Sequence, residues 1–141
     1  MAGKTLPEIY CWKMKVDELY IYLASSKRGA VKVGLSLERD FDCVTYFKEV
    51  FPSTSISEDY LVNRTLVEAV EATLRNRPRT KNLSLDLTCT PFQLMVWKAI
   101  TQIPFGRTET YGEVAAMIGR PGGARAVGQA LGRNPLPLVF P

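Results

Sequence analysis

The sequence predicts an α/β protein of two domains, which we place at residues 1–86 and 88–141. Three observations support this prediction. The first third of the chain alternates between apolar and polar residues, as strands do. Two segments with helical periodicity follow, and beyond Thr90 the chain becomes a series of short helices separated by turns rich in glycine and proline. The length of 141 residues suits one domain or two small ones.

The first domain is expected to begin with an antiparallel meander. In the segment 10–16, Trp12 and Met14 fall on one face, while Cys11 and Lys13 fall on the other, which predicts a half-buried strand. Short turn-type sequences then reverse the chain twice. The predicted strands are 10–16, 19–23 and 30–37.

Two helices and a short strand are predicted to complete this domain. The helices are placed near 39–51 and 58–76. In the second helix, apolar residues recur at steps of three and four, and Pro78 lies beyond its end. The segment 83–87 alternates again and is therefore predicted to be a strand.

The second domain is predicted to open with a capped helix. Thr90-Pro-Phe-Gln93 is a capping-box pattern with proline at the first helical position. Apolar residues then recur at helical spacing until Pro104, which is expected to begin a turn over 104–106. The apolar face of this helix is predicted to consist of Phe92, Met95, Val96, Ala99, Ile100 and Ile103.

Two further short helices are predicted near the end of the chain. Thr110 is expected to cap a helix over 111–118, and Gly119 lies where a left-handed residue commonly ends a helix. After Pro121-Gly-Gly123 a second helix is predicted over 124–132. Two short helices joined in this way have the sequence form of a helix-turn-helix, although helical hairpins that only pack against each other share it.

The composition excludes several function classes. The chain contains no histidine, so these residues cannot form a Ser–His–Asp triad, a Cys–His pair or an imidazole-ligated metal site. Three widely spaced cysteines, Cys11, Cys43 and Cys89, favour a reduced, cytoplasmic protein. No apolar run approaches the roughly 18–20 residues that span a bilayer, and residues 1–7 lack the features of a signal peptide. We therefore expect a cytoplasmic protein without membrane contact or a metal site.

Positive charge is concentrated in the last third of the chain. The whole chain carries a formal charge of +4, and residues 88–141 contribute five basic and two acidic side chains to it. The remainder is nearly balanced. A nucleic-acid contact, if the protein makes one, is therefore expected in the second domain.

The helix predicted over 124–132 has an unusual face. Ala124, Gly128 and Gly132 lie four residues apart and leave this face almost without side chains. Each interior glycine costs about 1 kcal/mol of helix stability relative to alanine. We therefore expect the small residues on this face to have a structural or functional role. Either the helix packs closely against a neighbour, or it enters a narrow space such as a DNA minor groove, with Arg125 and Arg133 flanking that groove.

Five linked motifs give the second domain a family resemblance. They cover about 52 residues from Thr90 to Pro141 and together resemble the C-terminal domain of the O6-alkylguanine-DNA alkyltransferases. The motifs are Thr90-Pro-Phe-Gln-Leu-Met-Val-Trp97, Ile103-Pro-Phe-Gly106, Thr110-Tyr-Gly-Glu-Val-Ala115, Arg125-Ala-Val-Gly128 and Asn134-Pro-Leu-Pro-Leu-Val-Phe-Pro141.

The resemblance implies a fold and an activity. It implies a ribonuclease-H-like first domain with an antiparallel sheet, followed by a helical, winged-helix-like DNA-binding domain. Such proteins bind double-stranded DNA that contains O6-alkylguanine and rotate the damaged base out of the stack. They transfer the alkyl group irreversibly to a cysteine. The resemblance thus implies a DNA-repair methyltransferase, which we expect to be monomeric and to need no cofactor.

The resemblance also assigns roles to individual residues. Arg125 resembles the finger that fills the vacated stack, and Tyr111 resembles the residue that crowds the target's 3′ phosphate and later donates a proton. Asn134 resembles the residue that holds the reactive segment and its turn. Pro137 and Val139 would line the base pocket. The residues expected to contact DNA are Arg125, Ala126, Gly128, Gln129 and Arg133.

The motif that ends at Pro141 continues, in the family, into Cys-His-Arg-Val. The nucleophile is therefore expected directly after Pro141, together with the histidine that draws the thiol toward thiolate. We expect the 141-residue chain by itself to transfer no alkyl group, because a small buried thiol is the expected state of Cys89 and the other two cysteines fall in the first domain. One hypothesis is that the next codon encodes selenocysteine; a frameshift or a fragment is the other.

The sequence is also compatible with two other functions. A non-catalytic alkyltransferase-like protein would recognise the lesion without accepting the alkyl group. A DNA-binding regulator with a helix-turn-helix would need no base pocket, and the pocket-like segment Asn134-Pro-Leu-Pro137 counts against it.

Overall fold

The structure is a computed structural model that describes residues 8–77, 82–103 and 107–139. The chain divides into two compact units, Met1–Leu87 and Thr88–Pro141. Within the described residues, the first unit contains a sheet and two helices, and the second contains three helices. The predicted α/β class is therefore confirmed.

A four-stranded sheet forms the centre of the first unit. Its order is β3-β2-β1-β4, and the first three strands form the predicted antiparallel meander. Asp17, with a φ of 52°, lies in the two-residue turn between β1 and β2, where a left-handed residue matches the strand twist. The sequence did not predict β4, which has three residues and pairs parallel to β1. The strands are β1 Ile9–Val16, β2 Leu19–Ser26, β3 Gly29–Ser36 and β4 Ile56–Glu58.

Two aspartate-capped helices accompany this sheet. Helix α1 spans Cys43–Val50 and helix α2 spans Tyr60–Leu74, so both predicted helices form. The first begins four residues later than predicted because the side chain of Asp42 accepts a hydrogen bond from the backbone N–H of Thr45. Asp59 caps α2 in the same way through the N–H of Val62.

Both faces of β1 are covered near its start, where the prediction of a half-buried strand expected one covered face, whereas Lys15 farther along the strand is exposed as predicted. Cys11 is fully buried and packs with Phe47 of α1 in one core cluster. On the opposite face, the Trp12 ring lies 5.3 Å from the ring of Tyr60 in α2. Helices on both sides of a sheet bury both sets of alternating side chains, so alternation in the sequence cannot show how many faces are covered.

The strand predicted over 83–87 does not form. Only Leu85 pairs with the sheet, through an isolated parallel bridge to Ala30. The N–H of Ala30 donates to the carbonyl of Ser84 at 2.9 Å, and the N–H of Asp86 donates to the carbonyl of Ala30 at 2.8 Å. A strand requires a ladder of several paired residues, and here a single residue pairs with the sheet.

The described part of the second unit forms three helices, of which the first two have strong start signals. Thr90 and Thr110 each form a complete capping box, with Gln93 and Glu113 respectively, so both predicted caps are confirmed. The turn predicted over 104–106 lies outside the described residues, as do Pro78, Phe140 and Pro141. The helices are α3 Pro91–Ile100, α4 Tyr111–Met117 and α5 Ala124–Gly132.

The buried face of α3 differs in one respect from the predicted stripe. Val96, Ala99 and Ile100 are buried as expected, but Met95 is 41% exposed. Trp97 is buried instead, at 2% exposure. Its indole Nε1–H donates to the carbonyl of Ala130 in α5 at 2.7 Å, which satisfies the one polar group of the side chain.

The turn between α4 and α5 begins with the predicted glycine. Gly119 has a φ of 77°, and its N–H donates to the carbonyl of Ala116. The N–H of Arg120 donates to the carbonyl of Ala115 at 2.8 Å. This pair of bonds is a Schellman motif, which favours glycine because the left-handed conformation lacks a Cβ penalty there.

Across the described ranges, no helix combines the length and the apolar character that crossing a membrane requires.

Candidate nucleic-acid interface

Helix α5 has one buried side and one exposed side. Val127 and Ala130 are buried, and α5 contacts both α3 and α4. The exposed positions recur at helical spacing and therefore form one strip of small, polar and basic residues. We call this strip the α5 surface. It consists of Arg125, Ala126, Gln129, Gly132 and Arg133.

The slim face predicted for α5 is not a single exposed face. Ala124 is half-buried, and Gly128 is packed against the ring of Tyr111. Only Gly132 faces open space, since a Cβ there would meet no atom within 4 Å. Gly128 is therefore in contact with the Tyr111 ring and does not belong to the α5 surface. The other four predicted DNA contacts do belong to it.

Tyr111 occupies the first position of α4 and is 54% exposed. The capping box holds it there. Thr110 Oγ1 accepts a hydrogen bond from the N–H of Glu113 at 3.0 Å, and Glu113 Oε1 accepts from the N–H of Thr110 at 3.4 Å. These bonds satisfy backbone donors that a helix start would otherwise leave unpaired. The phenol is thus presented at the surface from a well-defined helix end.

A carboxyl pair lies just before and inside the start of α4. Glu109 and Glu113 are hydrogen-bonded through their side chains, which raises the pKa of Glu109 and lowers the pKa of Glu113. The hydrogen bonds from Thr110 also lower the pKa of Glu113. Arg107 pairs with Glu109 at 3.4 Å, so negative charge near Tyr111 is partly neutralised.

The arginines of the α5 surface remain available for a ligand. Arg125 and Arg133 are both exposed, and neither forms an ion pair with any residue that the structure describes. Arg133 is also the C-terminal cap position of α5, where its N–H donates to the carbonyl of Ala130. Two unpaired guanidinium groups about two turns apart on one strip suit a line of phosphates.

Asn134 organises the turn that follows α5. Its Oδ1 accepts a hydrogen bond from the N–H of Leu136 at 2.9 Å, which is an Asx turn around Pro135. A second turn follows at once, because the N–H of Val139 donates to the carbonyl of Leu136 at 3.1 Å. The predicted role of Asn134 in holding a turn is therefore compatible with its geometry.

The proposed pocket residues lie in this second turn. Pro137 is half-buried and Val139 is 2% exposed. Between them, Leu138 adopts a φ of 71°, which is unfavourable for any residue except glycine and, to a lesser degree, asparagine. Sequence reasoning did not find this position, because a leucine gives no signal for a left-handed turn residue.

None of the three cysteines belongs to the α5 surface. Cys11 and Cys43 are buried in the first unit with their Sγ atoms 2.7 Å apart, and burial raises the pKa of both thiols. Cys89, which precedes the Thr90 cap, is half-buried. Among the residues that the structure describes, no three Cys, Asp or Glu side chains converge to hold a metal ion.

A family model and several known proteins match this chain. Residues 91–141 match the family model of the 6-O-methylguanine DNA methyltransferase, DNA binding domain. The inducible methylated-DNA–protein-cysteine methyltransferase of Bacillus subtilis (strain 168) is 31% identical over 137 residues, which cover 96% of this chain and 75% of that protein. The methylated-DNA–protein-cysteine methyltransferase of Mycobacterium tuberculosis (strain ATCC 25618 / H37Rv) is 53% identical over 60 residues, which cover 43% of this chain and 36% of that protein.

The fold agrees with this relationship. A solved structure described as Mycobacterium tuberculosis OGT in complex with DNA matches with a TM-score of 0.67 at 30% identity. The match covers 95% of this chain and 74% of that chain, so it extends over both units. Since the identity to the Bacillus subtilis protein holds over three quarters of that protein's length, the chain belongs to the methylated-DNA–protein-cysteine methyltransferase family of DNA-repair proteins.

Proposed function

We propose that this protein repairs O6-alkylguanine in double-stranded DNA by moving the alkyl group onto a cysteine or selenocysteine that follows Pro141. The observation that most supports this function is the continuity of α5 and its turn. The α5 surface presents Arg125 and Arg133, and the chain runs directly from Arg133 into the turn that Asn134 holds. A groove-binding helix and a reactive segment are thereby one continuous piece of structure.

DNA binding starts with the phosphates. The unpaired arginines of the α5 surface contact the backbone, so binding is independent of sequence and weakens as salt rises. Extruding the damaged guanine costs a few kcal/mol for unstacking. Arg125 offsets that cost by filling the vacated space, and Tyr111 crowds the phosphate on the 3′ side of the target.

The chemical step is a displacement at the alkyl carbon. The thiolate or selenolate attacks that carbon, a new S–C or Se–C bond forms, and the bond between the carbon and guanine O6 breaks. The electron pair stays on guanine, and the Tyr111 phenol supplies the proton that restores neutral guanine. A thioether has no easy leaving path at neutral pH, so each protein molecule reacts once.

None of the three cysteines in the 141 residues suits the role of acceptor. Cys11 and Cys43 are buried in the first unit, and their raised pKa values keep them as thiols, whereas the thiolate is the nucleophile. Cys89 is half-buried and lies directly before the cap of α3. This supports an acceptor at the position after Pro141, close to Asn134 along the chain.

The test is transfer from DNA that carries a labelled O6-methyl group. The protein continued through Cys-His-Arg-Val beyond Pro141 is expected to take up one methyl per molecule, at the residue after Pro141. The 141-residue chain is expected to take up none. Label on any of the three internal cysteines would contradict the proposal. Lesion binding without transfer by the continued protein would instead indicate an alkyltransferase-like recognition protein.

A further inference from the structure

We infer that Gly128 is a positioning residue for Tyr111. Because glycine has no side chain, the Tyr111 ring can pack directly against the backbone of α5 at this position, which holds the ring beside Arg125. The inference rests on the proposed function, because it concerns how two residues of the base-flipping apparatus are held relative to each other. Gly128 itself touches neither DNA nor the reacting atoms in this arrangement.

The distances show how tightly the ring sits on α5. A Cβ at Gly128 would lie 2.9 Å from Tyr111 Cε2, 3.1 Å from Cδ2 and 3.7 Å from Cζ. Carbon atoms in ordinary contact are about 3.5–4.0 Å apart. Any side chain at 128 would therefore push the ring away by roughly 0.5–1 Å. Only glycine leaves the ring in its present place.

The spacing along α5 explains why the contact between Gly128 and the Tyr111 ring matters. Arg125 and Gly128 are three residues apart, so they are neighbours on the helix surface, with about 5–6 Å between side-chain origins. We therefore expect a ring that contacts Gly128 to lie close to the Cβ of Arg125. Tyr111 and Arg125 are proposed to act on the same nucleotide. Tyr111 contacts its 3′ phosphate, and Arg125 fills the space in the stack that the extruded base vacates. Gly128 sets the separation between these two actions.

Two simpler roles for the glycine fit the structure less well. If α5 needed glycine only to be slim in a groove, the space at 128 would be open, as it is at Gly132, but the Tyr111 ring occupies it. If the glycine served only helix packing, its neighbour would be a buried side chain. Tyr111 is 54% exposed, so an alanine at 128 would displace the ring toward solvent and leave the fold intact.

The variant Gly128→Ala in the full-length protein separates these roles. Three quantities are measured: the affinity for undamaged duplex, the extrusion of O6-methylguanine followed by 2-aminopurine fluorescence in the same duplex, and the melting temperature. We expect extrusion to fall at least tenfold, since a displacement of about 1 Å can cost up to a hundredfold in a positioned step. Affinity for undamaged duplex should stay within twofold. The melting temperature should not fall, because alanine has the higher helix propensity.

Gly112→Ala is the matched control. Gly112 is the next residue after Tyr111 in the same helix, and a Cβ there would meet only Thr110 Oγ1, at 3.8 Å. This variant is expected to extrude the lesion as the wild type does. In a Tyr111→Ala background, Gly128→Ala should cause no further loss, because the ring that it displaces is already gone.

Other outcomes overturn the inference. Unchanged extrusion in Gly128→Ala, or a further loss in the Tyr111→Ala background, would show that the glycine does not act through the ring. An equal loss of affinity for undamaged duplex would make Gly128 a groove contact, and a lowered melting temperature with equal losses in both assays would make it structural. If the wild type itself extrudes no lesion, the proposed function fails. If the wild type extrudes it and Gly128→Ala does so equally, only this inference fails.

Discussion

The indole Nε1–H of Trp97 donates a hydrogen bond to the backbone carbonyl of Ala130 at 2.7 Å, and both residues are buried. This bond joins α3 to the helix that presents the α5 surface. A buried polar contact between two elements sets their relative position more narrowly than apolar packing does, because it requires one direction as well as one distance. Trp97 therefore fixes the orientation of α5 within the second unit.

Replacing Trp97 with Phe should loosen this orientation. The substitution keeps an aromatic ring but removes the indole N–H and some buried area, so we expect the free energy of unfolding to fall by about 1–3 kcal/mol. The check is urea denaturation followed by circular dichroism. Met95→Phe, at an exposed position of the same helix, is the control and should change the free energy by less than about 0.5 kcal/mol. Equal effects of the two variants would contradict the assigned role.

Arg125→Ala should weaken base extrusion more than it weakens binding to undamaged duplex. The side chain is exposed and forms no ion pair with the described residues, so its removal costs the free protein little. Losing one phosphate contact lowers the slope of log affinity against log salt by only about 1. Losing the side chain that fills the vacated space, in contrast, removes the interaction that offsets the cost of unstacking. Fluorescence titrations at several salt concentrations measure both effects. An equal loss in the two would mean that Arg125 is only a phosphate contact.

Asn134→Ala should affect transfer more than DNA binding. Removing Oδ1 leaves the N–H of Leu136 without its partner in the Asx turn, which is expected to cost about 1–2 kcal/mol of stability. The turn would then no longer hold the residues after it in one conformation. Single-turnover transfer by the protein continued beyond Pro141 should slow at least tenfold, while duplex affinity changes less than twofold. Asn134→Asp, which retains an acceptor oxygen, should restore part of the rate. A rate unchanged in Asn134→Ala would show that the Asx turn is dispensable.

The positive φ of Leu138 predicts an order of stabilities opposite to the one expected from burial. Leu138→Val keeps more apolar surface than Leu138→Gly, yet a β-branched residue is the least tolerated at a φ of 71°. We expect the valine variant to be less stable than the glycine variant by about 1–2 kcal/mol. Thermal denaturation of both variants measures the difference. A more stable valine variant would indicate that burial outweighs the backbone conformation.

The cysteines should differ in their reactivity toward iodoacetamide. At pH 8 Cys89 is expected to react first, because it is half-buried whereas Cys11 and Cys43 are buried. The raised pKa values of the buried pair mean that both stay protonated at a pH where an ordinary thiol begins to ionise. Raising the pH from 7 to 9 should therefore leave Cys11 and Cys43 largely unlabelled. Peptide mapping by mass spectrometry identifies the sites, and early labelling of Cys11 would contradict the packing.

Local signals in the sequence determined the ends of the helices. The Thr90 and Thr110 caps, the glycine at 119 and the bounds of α5 follow from hydrogen bonds between residues at most five apart, so the residues that decide them are adjacent in the chain. The meander was predictable for a similar reason, since alternation over a single strand marks its two faces. The family resemblance likewise depended on residue identities alone.

Only the tertiary structure decided which faces of these elements meet. It placed Gly128 against Tyr111, moved the buried position of α3 from Met95 to Trp97, and brought Cys11 next to Cys43. Each of these contacts joins residues that lie 17 or more positions apart or depends on such a contact. Helical or strand periodicity defines the directions in which side chains point, but the free energy gained by packing depends on the neighbour that fills the space. That neighbour belongs to another element, whose position no local pattern contains.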